Sequence, residues 1–231
     1  MKKYENTRQL RKKNSMKNLT LKNTGTDSFR MVESMNSLKT NITFCGENIQ
    51  VIAITSSMPG EGKSSIAFEL SKSLARSGKK VLLIDADIRK SKFLRTRGAC
   101  GVDRGLTHYL SGQAELKEVF YKVNIKNMAF IPTGPSVLNP SELIENEKFK
   151  KMIAVSRKAY DYIIVDVTPV GVVIDAAIVA KQCDGVVMVI EQGKISRRVV
   201  NHAIGQLKRA KIRILGMVIN KVDVKSSYSY R

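Results

Sequence analysis

Three stretches of this chain hold residues whose types and spacing suit phosphate chemistry. In Ser57-Met58-Pro59-Gly60-Glu61-Gly62-Lys63-Ser64, two glycines free the backbone to aim its amides at one point, and Lys63-Ser64 leads into a helical run from Ser65. Amides converging on a helix N-terminus cradle an anion, a lysine ammonium neutralises phosphate oxygens, and a serine hydroxyl suits a magnesium ion. Ser57 stands where the usual P-loop pattern asks for glycine. Carboxylates must therefore be found elsewhere to complete a metal site.

They follow. The run Val81-Leu82-Leu83-Ile84-Asp85-Ala86-Asp87-Ile88-Arg89 is an apolar strand that delivers two carboxylates and an arginine at its end, and Tyr162-Ile163-Ile164-Val165-Asp166 delivers another. The latter has the form of a Walker B element, whose acid orients magnesium, often through water. Asp85 and Asp87 share a face if the strand continues, and flank one cation from different angles if the chain turns after Asp85. Without a cation, two aspartates beside a phosphate site would be costly to hold. The candidate metal ligands are Ser64, Asp85 and Asp166, and the candidate catalytic groups are Lys63, Asp85, Asp87 and Asp166. The candidate nucleotide-binding residues are Pro59, Gly60, Glu61, Gly62, Lys63, Ser64 and Ser65, with Asn220 from the last strand. His108 and His202 are isolated, and no Ser-His-Asp or Cys-His pattern is present.

Elements that position these groups are legible in the pattern. Strands are expected at Val51–Thr55, Met128–Pro132, Gly185–Glu191 and Ile212–Ile219, besides the two that end in acids. Ile66, Leu70 and Leu74 fall at helical spacing and stop near Gly78. Met31, Met35, Leu38 and Ile42 predict an earlier helix with Asp27 as its N-cap. Short helices are expected at Gly105–Leu110 and Leu116–Tyr121. Asn139-Pro140 starts another, Phe149–Ala159 is helical, Asp175 opens Ala176–Lys181, and a helix from Ser196 buries Val200, Ala203, Ile204 and Leu207. Strands alternating with helices predict an α/β P-loop fold, a mostly parallel sheet with helices on both faces. In such sheets ligands bind at the carboxyl ends of the strands, where the loop and the acids fall.

The bulk composition bounds the remaining classes. At 231 residues with 43% hydrophobic content, the chain is long enough for one well-buried domain, expected over 27–224. Before it lies a basic arm, 1–26, in which Lys2, Lys3, Arg8, Arg11, Lys12, Lys13, Lys17 and Lys22 oppose Glu5 and apolar residues are too sparse to bury; after it lies a polar tail, 225–231. No apolar run reaches the roughly 18 residues of a membrane span, and the N-terminus has no apolar signal core, which predicts a cytoplasmic chain. Cys45, Cys100 and Cys183 are far apart and fit reduced thiols that pack. The charge of +20, from 40 Lys and Arg against 20 Asp and Glu, predicts a polyanionic partner. An anionic membrane surface, an acidic protein, nucleotide phosphates and nucleic acid all satisfy it. Nucleic acid is disfavoured because the basic residues are not interleaved with aromatics.

Taken together, Ser-Met-Pro-Gly-Glu-Gly-Lys-Ser, Leu-Leu-Ile-Asp-Ala-Asp-Ile-Arg and Ile-Ile-Val-Asp-Val-Thr-Pro resemble the bacterial tyrosine autokinases that govern capsule and exopolysaccharide synthesis. The similarity runs over about residues 28 to 230 and includes Gly134-Pro135, Asn139-Pro140-Ser141-Glu142-Leu143 and Val170-Gly171 through Asp175-Ala176. The resemblance implies ATP and Mg2+ as cofactors. It also implies that Asp85 and Asp87 assist magnesium binding and deprotonation of an incoming tyrosine, and that the acceptors are clustered C-terminal tyrosines of a neighbouring subunit, here Tyr228 and Tyr230. Members without a fused membrane segment need a separate membrane activator of the polysaccharide co-polymerase type, which implies recruitment to the inner face of the cell membrane. Members usually form a ring through a Glu-x-x-Arg-x-x-Arg helix; the matching positions here are Glu33, Asn36 and Lys39. Losing both guanidinium forks predicts a weakened ring. Walker B carries Val167-Thr168 where members usually have Thr-Pro.

Two other readings share the fold. A partner-switch ATPase of the kind that positions cell-division or partition machinery usually carries an additional lysine early in the P-loop, and Ser57 to Gly60 offers none. A GTPase is suggested by Asn220-Lys221-Val222-Asp223, which matches the guanine-reading sequence, but the Asp85/Asp87 pair is foreign to that class.

Overall fold

The computed structural model describes residues 16–22 and 28–222. The expectations placed on Asp27, Asp223, Tyr228 and Tyr230, and on most of the basic arm, lie outside the described residues. The described chain runs β1 (Lys17–Leu19), α1 (Phe29–Phe44), β2 (Val51–Ser56), α2 (Lys63–Arg76), β3 (Val81–Asp85), α3 (Phe93–Thr96), α4 (Leu106–Leu110), β4 (Tyr121–Val123) and β5 (Met128–Ile131). It continues through α5 (Pro140–Glu145), α6 (Glu147–Arg157), β6 (Tyr162–Asp166), α7 (Asp175–Ala180), β7 (Gly185–Glu191), α8 (Arg197–Arg209) and β8 (Ile214–Asn220).

The strands form one 8-stranded sheet in the order β1-β4-β5-β3-β6-β2-β7-β8, parallel except where β4 meets β5. Its central strands are buried on both faces, which is why they read as unbroken aliphatic runs and not as an alternation. Side chains two residues apart go to the same face. Ile52, Ile54 and Leu83 pack with Met35 of α1 and Phe68 and Leu70 of α2. Val51, Ala53, Leu82, Ile84 and Val165 pack on the other face with Phe149 and Met152 of α6 and Ala203 and Leu207 of α8. The α/β expectation is met, with helices on both faces of the sheet.

Several boundaries differ, each for a local reason. Residues 16–22 are not part of a loose basic arm: Leu19 and Leu21 are buried, β1 pairs with β4, and Asn124 exchanges hydrogen bonds with the Leu21 backbone. Two leucines spaced for one face suffice to dock a three-residue strand at the sheet edge. The helix expected at Leu116–Tyr121 is only a 3-10 turn, Leu116–Glu118, and Tyr121–Val123 is strand, with Lys122 exposed between two buried neighbours. The cap of α1 is Ser28, whose Oγ accepts from the Met31 amide. Asn146 separates α5 from α6 and caps the latter by accepting from the Lys148 amide.

Candidate active site

The sheet register puts the acids side by side. Asp85 and Asp166 end the neighbouring strands β3 and β6 as direct register partners, and the Ala86 amide donates to the Asp166 carbonyl at 2.8 Å. Neighbouring parallel strands lie roughly 4.8 Å apart, so two carboxylates are forced together at the carboxyl edge. Asp87 lies just past β3, where the chain turns: the Lys90 amide donates to its carboxylate and the Ser91 amide to its carbonyl. The turned-chain alternative is therefore the one observed. Lys63, at the start of α2, reaches into this cluster, with Nζ 2.8 Å from Asp87 and 3.2 Å from Asp166.

The electrostatics follow from burial. Asp85 is fully buried, and desolvation first, then the Asp166 charge, pushes its pKa up to about 8. Desolvation also raises Asp166, against the opposing pull of Lys63 and Ser64. For Lys63 burial alone would lower the pKa, but the charges of Asp166 and Asp87 outweigh it and the ammonium is held protonated. The buried Lys63 ammonium thus faces a cluster of carboxylates, and among the described residues nothing hydrogen-bonds the buried Asp166 Oδ2. Hard oxygen donors from Ser64, Asp85 and Asp166 at the mouth of an amide-rich loop fit a divalent cation such as magnesium.

The loop itself is shaped for that role. Gly60 and Gly62 have φ of 89° and 94°, in the left-handed region that favours glycine, and Gly62 caps α2 without any side-chain bond. The helix therefore offers its first amides to whatever sits in the loop. Glu61 behaves otherwise than a ligand side chain: its Oε2 accepts from Ser57 Oγ at 2.9 Å and the Met58 amide at 2.6 Å, and its Oε1 from the Glu191 amide at 3.1 Å. Ser57 is buried, and its carbonyl lies so close to Gly171 that a Cβ there would come within 2.2 Å. Asn220 reaches the loop from the end of β8, donating to the Glu61 carbonyl at 2.9 Å.

Several groups escaped the sequence reading. Ser91 Oγ donates to Asp85 at 2.5 Å, fixing the deepest acid. Arg89 pairs in bidentate fashion with buried Asp175, which also accepts from Ser141 Oγ, so the turn after β3 is tied to the starts of α5 and α7. Lys221 reaches the Gly60 carbonyl at 2.9 Å. Glu33, Asn36 and Lys39 lie on α1; Asn36 Nδ2 donates to Glu33 within the helix.

An AAA domain family model matches residues 49–216. The tyrosine-protein kinase CpsD of Streptococcus agalactiae is 43% identical over 191 residues, covering 83% of each chain. The chain belongs to the bacterial tyrosine-protein kinases. The tyrosine-protein kinase YwqD of Bacillus subtilis is 35% identical over 86% of this chain and 85% of its own. Among solved structures, the kinase domain of the Escherichia coli tyrosine kinase ETK superposes with a TM-score of 0.77 at 29% identity, over 86% of this chain and 80% of that one. Relatedness at this level favours a tyrosine kinase over a partner-switch ATPase. Among the described residues, no helix is long and apolar enough to cross a membrane.

Proposed function

We propose that this tyrosine kinase transfers the γ-phosphoryl group of Mg-ATP to Tyr228 and Tyr230 of a second copy of the chain, and thereby regulates capsule or exopolysaccharide synthesis. The observation that carries the reading is Lys63 poised between Asp87 and Asp166 at the mouth of a glycine loop. The amides of Gly60 to Ser65 hold the phosphates, and Lys63 exchanges its carboxylate partners for β- and γ-phosphate oxygens. Ser64, Asp85 and Asp166 would hold a magnesium ion, which would supply charge neutralisation to the transferred phosphates. Asp87 is the most exposed of the acids at 7%, against 0% for Asp85 and 1% for Asp166. It is the group placed to take the phenol proton as the new bond from tyrosine oxygen to phosphorus forms and the bond to ADP breaks. Ser91 and the Arg89–Asp175 pair keep the turn that carries it in place.

Copies meet through α1, with Glu33, Asn36 and Lys39 at the contact. A membrane activator of the polysaccharide co-polymerase type recruits the kinase to the inner face of the membrane, aided by attraction between the basic arm and anionic lipid. Purified protein incubated with Mg-ATP, with and without the activator's cytoplasmic segment, is expected to gain phosphotyrosine. Tyr228→Phe with Tyr230→Phe is expected to remove most of it, and an unchanged signal would place the acceptors elsewhere. Lys63-dependent ATP hydrolysis with no phosphotyrosine under either condition would favour the partner-switch ATPase.

A further inference from the structure

The Asn220-Lys221 pair, which resembles a guanine-reading sequence, is engaged with the P-loop. Asn220 Nδ2 donates to the Glu61 carbonyl at 2.9 Å, and Lys221 Nζ donates to the Gly60 carbonyl at 2.9 Å while pairing with Glu191 Oε2 at 3.0 Å. Lys221 adopts φ of 55°, a left-handed conformation uncommon for a side-chain-bearing residue, in the turn that leaves β8. A Cβ on Gly62 would sit 2.1 Å from Asn220 Nδ2, so the amide group lies directly against the loop.

We infer that Asn220 and Lys221 are positioning residues that orient the phosphate-binding amides of the P-loop. The physical reason is peptide planarity. No peptide bond in the described chain is cis, and in a trans peptide the carbonyl and the following amide point in opposite directions. Holding the Gly60 carbonyl toward Lys221 turns the Glu61 N–H away from β8, and holding the Glu61 carbonyl toward Asn220 does the same for the Gly62 N–H. Among the described residues neither amide has a protein acceptor, although Glu61 is buried. Neighbouring amides left unpaired and aimed to one side form an anion-binding concavity. The Glu61 carboxylate fixes the same peptides from the other end through Ser57, Met58 and Glu191. The two glycines permit the turn, and the end of β8 selects its direction.

The inference rests on the nucleotide reading of the loop and not on tyrosine transfer. Its test uses magnesium tripolyphosphate, which has no base, beside Mg-ATP and Mg-GTP in titration calorimetry. Lys221→Met and Asn220→Ala are each expected to weaken all of these by a similar factor of about ten, the loss of one aligned amide contact. Lys221→Arg, which keeps a donor for both acceptors, is expected to recover most of the binding. Thermal unfolding checks that the variants are folded; Lys221 is half exposed, so its replacement is tolerated. Loss of ATP affinity with unchanged tripolyphosphate affinity would make the pair base readers and overturn the inference, as would unchanged binding of all ligands. A wild type that binds no tripolyphosphate and no ATP would overturn the nucleotide reading along with it.

Discussion

Replacing Gly60 and Gly62 by alanine separates backbone strain from the contact made by Asn220. Both glycines have positive φ, 89° and 94°, where a Cβ costs about 1–2 kcal/mol. Around Gly60 a Cβ meets nothing within 4 Å, so Gly60→Ala pays only the backbone term. At Gly62 the Cβ would come within 2.1 Å of Asn220 Nδ2, which must swing away and give up its bond to the Glu61 carbonyl. That adds about 1 kcal/mol, for a total of about 2–3 kcal/mol. Urea unfolding without nucleotide, followed by circular dichroism, is expected to show this ordering with unchanged m. In Gly62→Ala the Asn220→Ala change is expected to cost nothing further, a coupling of about 1 kcal/mol. Equal losses for the two glycines, or an additive Asn220 effect, would refute the assignment of Asn220 as a clamp on the loop.

Two further predictions concern the frame. Asp184 accepts from the Gln50 and Val51 amides and pairs with Arg157; burial by itself would raise its pKa, but the Arg157 hydrogen bond and those amides outweigh it and hold it below the usual carboxylate range. A depressed folded pKa means stability that is complete above the unfolded value, about 3.9, and lost as pH falls through the folded one. Asp184→Asn is therefore expected to destabilise by about 2–3 kcal/mol at pH 7, with the gap to wild type narrowing below pH 4 in urea unfolding; a gap independent of pH would rule out ionisation as its source. Leu19→Ala is expected to cost about 2–3 kcal/mol because the side chain is 3% exposed, and a loss below about 0.5 kcal/mol would mean that β1 contributes no packing.

The central strands were readable because each is a short aliphatic run whose polar residue marks its carboxyl edge: Asp85 and Asp166 end β3 and β6 at one level of the sheet, and Ser56 ends β2 two residues beyond Ile54, the register partner of Asp166. Since ligands collect at that edge, the fold and the candidate site were read from the same residues. The sheet margin was not readable. β1 and β4 have three residues each, too few for a period-two pattern to stand out from a charged arm or a helical turn. The pairing of β1 with β4, and of β4 with β5, reveals them as strands.

The assignments within the site divide in the same way. Lys63, Ser64 and the acids were legible as candidates by residue type, because a buried charge has few uses beside a glycine loop. What holds that loop in shape was not, because the Glu61–Glu191, Asn220–Glu61 and Lys221–Gly60 contacts join residues 130, 159 and 161 positions apart. Local spacing shows where a chain turns sharply enough to bind phosphate. It does not show which carbonyls must be held so that the amides face inward, and in a doubly wound sheet those holding groups come from the strands added last.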